Sequence, residues 1–515
     1  MNRLKFMGCM GILTAALTFT ACSDDNEPTE KNETTDVVWT TNGGLQACNH
    51  ILFTADGRDN LNDNGKQIGN GDQEFVFTGK QTLKKGTYLL KGWVYIADGA
   101  ELTIEPGTII KGDKQTKAAL IAERGGKLIA QGSATAPIVF TSEEAKGNRK
   151  PGDWGGIILC GKAVNNNGEM QIEGGPRTKH GGNDNTDCSG TLSYVRIEFA
   201  GYPFATDQEI NGLTLGSVGS GTKMDHIQVS YSNDDSYEWF GGTVNAKYLI
   251  AYKGWDDDFD TDNGYSGHVQ FALSVRDPKI ADKSQSNGFE SDNNAGGSTS
   301  EPFTTAVFSN ITFIGPKAAD AAFRNEVNTA DGSAAYIDGG SVYPNNGSGL
   351  GKFQAAMHIR RNSRLNCFNS VAIGWPIGII LDNEKGNTQQ AAENGLLNIQ
   401  NVWFGGMDIT GSDFNKIYTD QLYNYETKTT DATKPSFSSS FFLAQTGNHA
   451  EASWNGWFDA TGYVPATGSP LLNAAAFTHA LLLNGFDKVG YIGAFSTSDT
   501  WTNGWACFDP QNADY

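Results

Sequence analysis

The chain has 515 residues, and its 58 acidic side chains outnumber 38 basic ones, giving a formal net charge of −20. That balance excludes a surface built for nucleic acid or anionic lipid and suits divalent cations. Glycine occurs 63 times and proline 15 times, and without a Gly-X-Y period this abundance excludes collagen and fits many tight turns.

At the N-terminus, Arg3 and Lys5 precede an apolar run from Leu13 to Ala21. The run is too short for a permanent membrane span and has the form of a secretory signal, predicted to be residues 1–21. Losing it removes two positive charges, so the net charge moves from −20 to −22 in the mature chain. Cys22 follows Phe19-Thr20-Ala21, a lipobox-like ending, so Cys22 is the predicted site of lipidation and of attachment to the outer membrane. Ser23-Asp24-Asp25 resembles the acidic export signal of Bacteroidetes surface lipoproteins, which implies display at the cell surface. Residues 22–39, rich in Asp, Glu, Asn and Thr, read as a flexible acidic tether. Residues 40–92 are expected to form an N-terminal cap on the β-rich region.

From Trp93 the chain becomes a succession of short β-rich runs and glycine turns. Gly99-Ala-Glu-Leu-Thr-Ile104 returns 26 residues later as Gly125-Gly-Lys-Leu-Ile-Ala130, a spacing suited to one turn of a solenoid. Between Asn233 and Phe323 an aromatic-charged dipeptide recurs as Tyr237-Glu238, Phe259-Asp260, Phe289-Glu290 and Phe323-Arg324, and the register continues as Ile359-Arg360 and Leu381-Asp382. The steps are 22, 30, 34, 36 and 22 residues. Adjacent strand residues face opposite sides, so each pair buries its apolar member and shows its charge. The predicted fold is all-β, a right-handed single-stranded parallel β-helix over residues 93–406 with capping segments. Residues 407–515 form the predicted C-terminal cap, with a short helix over Pro470–Asn484. Cys48, Cys160, Cys188, Cys367 and Cys507 have no metal-ligand spacing; Cys160 and Cys188 either form a disulfide or remain free thiols.

Several stretches resemble one family: Gly99 to Gly112, Asp153-Trp-Gly-Gly156, Gly190-Thr-Leu-Ser-Tyr-Val-Arg-Ile-Glu-Phe-Ala-Gly201, Asp257-Asp-Phe-Asp260, and Tyr491-Ile-Gly-Ala-Phe495 with Trp501-Thr-Asn-Gly-Trp505. On these the chain resembles the large right-handed parallel β-helix lipoproteins of the Bacteroidetes. The resemblance implies a fold and a cell-surface address, and attaches no activity.

The chemistry concentrates on acids. Asp256, Asp258, Asp260 and Asp262 share one face of an extended run, and Glu238, Glu290 and Asp292 arrive from neighbouring turns. The predicted metal ligands are Glu238, Asp258, Asp260, Asp262, Glu290 and Asp292, with Ca²⁺ as the ion because it accepts irregular all-oxygen coordination. The alternative is a solvated carboxylate ladder compensated by Arg324 and Arg360. An EF-hand is rejected, since Asn263 and Val269 stand where its glycine and glutamate belong. Trp239, Trp255 and Tyr265, read as exposed near the patch, are candidates to stack on sugar rings. Histidine spacing gives no zinc site, and nucleophile elbows and phosphate-binding loops are absent from the sequence. The favoured function is non-catalytic binding of a glycan or another nutrient, with an outer-membrane transporter as a candidate neighbour. The alternative is a calcium-dependent polysaccharide lyase with Arg324 or Arg360 as base, an analogy from fold.

Overall fold

The computed structural model describes residues 36–60, 65–172, 175, 177–205, 208–327, 350–499 and 501–515. The predicted signal segment, Cys22 and most of the predicted tether lie outside them. The chain divides into two units, Met1–Asp36 and Val37–Tyr515, and the second is a right-handed parallel β-helix. Among the described residues no helix is long and apolar enough to cross a membrane.

Two long sheets form the solenoid. The first has thirteen strands, from Trp39–Asn42 to Ile409–Ser412, and only its opening pair is antiparallel. The second reaches from Leu52–Phe53 to His449–Glu451. The parallel ladder thus exceeds the 93–406 span: Leu45–Cys48 already pairs in parallel with Phe75–Phe77, and Ile377–Leu381 with Ile409–Ser412.

A third, shorter ladder of Lys80–Leu83, Glu101–Ile104 and Lys127–Gln131 occupies the early rungs. It then merges with the second sheet, because Gly190–Glu198 pairs with both Lys127–Gln131 and Ile138–Ser142. The merged strand bends at Tyr194, whose φ is 52°, and the bend recurs at the matching position of each later rung as His226, Tyr248, Phe271, Asn310, Asn369 and Asn401. A left-handed conformation costs a residue with a β-carbon about 1–2 kcal/mol. Here the first four rings offset that cost by stacking outside the sheet at 4.2, 4.5 and 5.2 Å. The last three positions use asparagine, which tolerates this region best among residues with a β-carbon.

Inside the helix, Tyr237, Phe259 and Phe289 stack rung on rung, with centroids 5.5 and 6.0 Å apart. All three are fully buried. Burying each such ring stabilises by roughly 1.5–3 kcal/mol, so the aromatic half of the repeated dipeptide is the solenoid's core.

The C-terminal region does not simply cap the end. The cap itself is the helix Phe437–Ala444: Ser436 Oγ accepts from Ser439 N at its start, Ser438 Oγ accepts from Leu381 N, and Phe442 stacks on Phe404 at 4.1 Å. The chain then runs back along the outer face of the second sheet as a strap. It meets successively earlier rungs: Asn369 donates to Ala476 O, Asn310 to Tyr491 O, Gln228 to Cys507 O and Arg149 to Pro510 O. Pro470–Asn484 is therefore not a helix but holds one 3₁₀ turn, Ala480–Leu482. Its backbone groups are met by sheet side chains, and its apolar residues Leu471 and Leu482 are buried against the sheet while Leu481 stays 39% exposed. The five described cysteines are all free thiols, Cys160 and Cys188 included.

Candidate functional site

The outward half of the dipeptide repeat makes a cleft of about 510 Å³ on the first sheet. Strand register fixes its columns. Glu238, Asp260, Glu290 and His358 are successive partners. Two residues on, Asp262 and Asp292 lead to Arg360, as the pairing of Thr261 with Ser291 and of Ser291 with Ile359 requires. The rung after Phe289-Glu290 is therefore Met357-His358, not Phe323-Arg324. Arg324 lies in an exposed irregular segment, where its guanidinium donates to Ala322 O and Phe323 O. The dipeptide repeat misleads at this rung because the true pair has methionine at the inward, aromatic position and no fixed charge at the outward one.

Glu238, Asp260, Asp262, Glu290 and Asp292 line the cleft, together with Asp234, Asp235, Asp256, Asp282, Arg360 and Arg361. Asp258 does not. The strand begins at Phe259, so alternation does not extend back to Asp258. Asp258 is fully buried, paired at 2.8 Å with an equally buried Arg276 and accepting from Ser274 Oγ. Arg276 also donates to the carbonyls of Trp255 and Asp256. The pair thus pins the bend that carries Asp256 and Asp257. Trp239, Trp255 and Tyr265 are also corrected: all three are 0% exposed. Tyr237 and Tyr265 both stack on Trp239, 5.8 and 5.3 Å away; Tyr237 and Trp239 face the core by strand alternation, whereas Tyr265 enters it past the turn at Asn263 and Gly264 that follows the strand.

The acids of the preceding turn escape the sequence pattern. Asp235 Oδ1 accepts from Asp257 N at 2.8 Å, Asp257 Oδ1 accepts from Asn287 N, and Asn287 Oδ1 accepts from Ala355 N at 3.1 Å. Each side chain satisfies the backbone of the next rung, which fixes Asp235 at the cleft's edge. A signal for it exists: Asp235 to Asp257 repeats the 22-residue step of Glu238 to Asp260.

Two overlapping carboxylate groups result, Asp234–Asp235–Asp256 and Asp235–Glu238–Asp260, with oxygens within 4.8 Å of one another in each. Oδ1 of Asp260 and Oδ1 of Asp256 are buried and accept no hydrogen bond among the described residues. Burial, then the neighbouring acids, push Asp235, Asp256 and Asp260 well above the usual carboxylate range. Burial followed by Asp292 lifts Asp262 to about 7. This set fits Ca²⁺, because it offers several hard oxygens without thiol or imidazole competitors at the two groups.

Positive charge enters from one side. Arg360 is held by Glu290 and Asp292, and Arg361 Nη1 donates to Asp292 Oδ2 at 2.6 Å. Burial works against the Arg360 charge, but Asp292 and Glu290 outweigh it and hold the proton well above the ordinary arginine value. His358 is fully buried between Glu290 at 3.7 Å and Asp382 at 3.8 Å.

The molecule is thus a parallel β-helix that carries a carboxylate cleft along one sheet. The family model described as a pectate-lyase-like β-helix domain matches residues 76–460, and the chain belongs to that family. No curated protein and no solved structure matches the chain.

Proposed function

We propose that this protein is a calcium-assisted, non-catalytic binder of acidic or polar glycan, held at the cell surface through a lipid on Cys22 in the manner of Bacteroidetes lipoproteins. The observation that carries the reading is the state of Arg360. A lyase base must surrender its own proton before it takes one from the sugar, and Arg360 is clamped by two carboxylates that make deprotonation harder. Arg324, the other basic candidate, is not among the cleft residues. A guanidinium so fixed suits orientation of a carboxylate or hydroxyl ligand, while a cation between Asp235, Glu238 and Asp260 neutralises the acids and offers open coordination positions. The Cys22 anchor rests on the apolar run and Phe19-Thr20-Ala21 before it, and delivery to a neighbouring outer-membrane transporter is the role proposed for the bound glycan.

Calorimetry of the mature protein with Ca²⁺, followed by a polyuronate panel watched for the ultraviolet absorbance of unsaturated products, tests this reading. Calcium-dependent binding without new absorbance supports it. Turnover that disappears in Arg360→Ala establishes the lyase instead.

A further inference from the structure

On the other long sheet, the strap leaves an uncovered hollow of about 630 Å³, within the volume range of small-ligand sites. Its floor is one column of rung partners, Tyr252, Val275, Ile314 and Ile373. Its wall comes from the strap, where Trp454, Phe458, Tyr463 and Phe508 are only partly buried although they pack against this floor. The wall is braced. Tyr252 Oη donates to Phe508 O at 2.7 Å, the Tyr252 and Phe508 rings meet edge to face at 5.3 Å, and Tyr463 lies 5.8 Å from Phe508. Gly406 makes room for Trp454, since a β-carbon there would lie 2.2 Å from the indole ring.

We propose that this hollow binds a neutral sugar ring, as a subsite separate from the acidic cleft. Three features select that ligand. First, the walls are aromatic faces, which match the C–H face of a pyranose. Second, hydrogen-bonding groups at the rim have no partner among the described residues: the Trp454 indole N–H, the Asn455 amide and the Tyr463 hydroxyl form no side-chain hydrogen bond, so they are available to ring hydroxyls. Third, the lining holds one carboxylate, Asp459, whose Oδ1 accepts from Thr461 N and Oγ1. On a chain of net charge −20, a hollow whose single charge is the Asp459 carboxylate repels a uronate. A purely apolar ligand would leave the rim donors unpaired. Neither calcium nor the acidic cleft enters this assignment.

The test is titration of the mature protein in EDTA with cellohexaose, xylohexaose and mannohexaose, followed by intrinsic tryptophan fluorescence and calorimetry. At least one should bind saturably, with affinity reduced tenfold or more in Trp454→Ala and in Asn455→Ala and unchanged in Asp260→Asn. Asn455 is exposed, so its variant keeps the test valid if Trp454→Ala unfolds. The proposal is overturned if none of the three sugars binds, if binding survives both hollow variants, or if Asp260→Asn alone abolishes it. Capture of dodecyl maltoside but not of hexasaccharides also overturns it, since the alkyl chain would then be what the hollow selects.

Discussion

Replacing Asp260 by Asn should stabilise the protein without calcium and remove its response to calcium. Asp260 sits between Glu238 and Glu290 on successive rungs, and its oxygen lies within 4.8 Å of those of Asp235 and Glu238. Two full charges at that distance repel by about 3.5 kcal/mol at an effective dielectric near 20. The acids share protons and Arg360 offsets part of the field, so roughly 1–3 kcal/mol of that repulsion is recoverable. An asparagine of nearly the same shape also places an amide donor beside Glu238 and Glu290. Differential scanning calorimetry should therefore show Asp260→Asn melting a few degrees above the wild type in EDTA. In millimolar Ca²⁺ the wild type should rise and the variant should not. A variant that melts lower in EDTA, or that keeps the calcium shift, is incompatible with a repulsive, cation-binding column at Asp260.

The stability of the metal-free protein should fall as pH rises from about 4 to 7. The Asp262 pKa is raised from 3.8 to about 7, so the folded state holds the extra proton across that window, and the cost of ionisation is complete above it. One pKa unit is about 1.4 kcal/mol, giving an upper bound of about 4 kcal/mol from this group, measurable as urea unfolding at pH 5 and pH 7.5; a flat or rising profile contradicts it. Calcium binding near pH 6 should release protons, read by calorimetry in buffers of different ionisation enthalpy. Arg276→Met should cost about 3–5 kcal/mol, because it leaves Asp258 charged and unpaired in the core; denaturant unfolding checks this, and Asp258→Asn combined with Arg276→Met should recover part of the loss. Trp505→Ala should cost about 3–5 kcal/mol and make the strap protease-sensitive, because Trp505 is fully buried where the strap meets the sheet.

The solenoid is legible in the sequence because a strand's period of two leaves a clear trace when an aromatic and a charge alternate, as at Tyr237-Glu238 and Phe259-Asp260. The same rule fails at Asp258, one residue before its strand begins, where a turn directs the side chain to Arg276 instead of solvent. Alternation alone also does not say which side of a rung is wet: Trp239 resembles a surface ring beside an acidic patch, yet its odd position shares the buried face of Phe259, and Tyr265 is buried past the turn that ends the next strand, where alternation no longer applies. His358 is hidden because Met357-His358 has a thioether in place of the inward aromatic ring and an outward group without permanent charge, and the long stretch between rungs breaks the count. The strap cannot be read at all, since its partners are side chains far away in the sequence, such as Gln228 for Cys507 at a separation of 279 residues and Arg149 for Pro510 at 361, and no local periodicity records them.

Whether the acids of the first sheet form a cation site can be decided by anomalous diffraction from crystals of the mature protein soaked in Tb³⁺, a calcium surrogate. A strong anomalous peak bounded by Asp235, Glu238 and Asp260 is expected, lost when Ca²⁺ is supplied in excess and absent in Asp260→Asn crystals. A cleft without a peak, with Tb³⁺ bound only at other carboxylates, would show that these acids do not hold a cation.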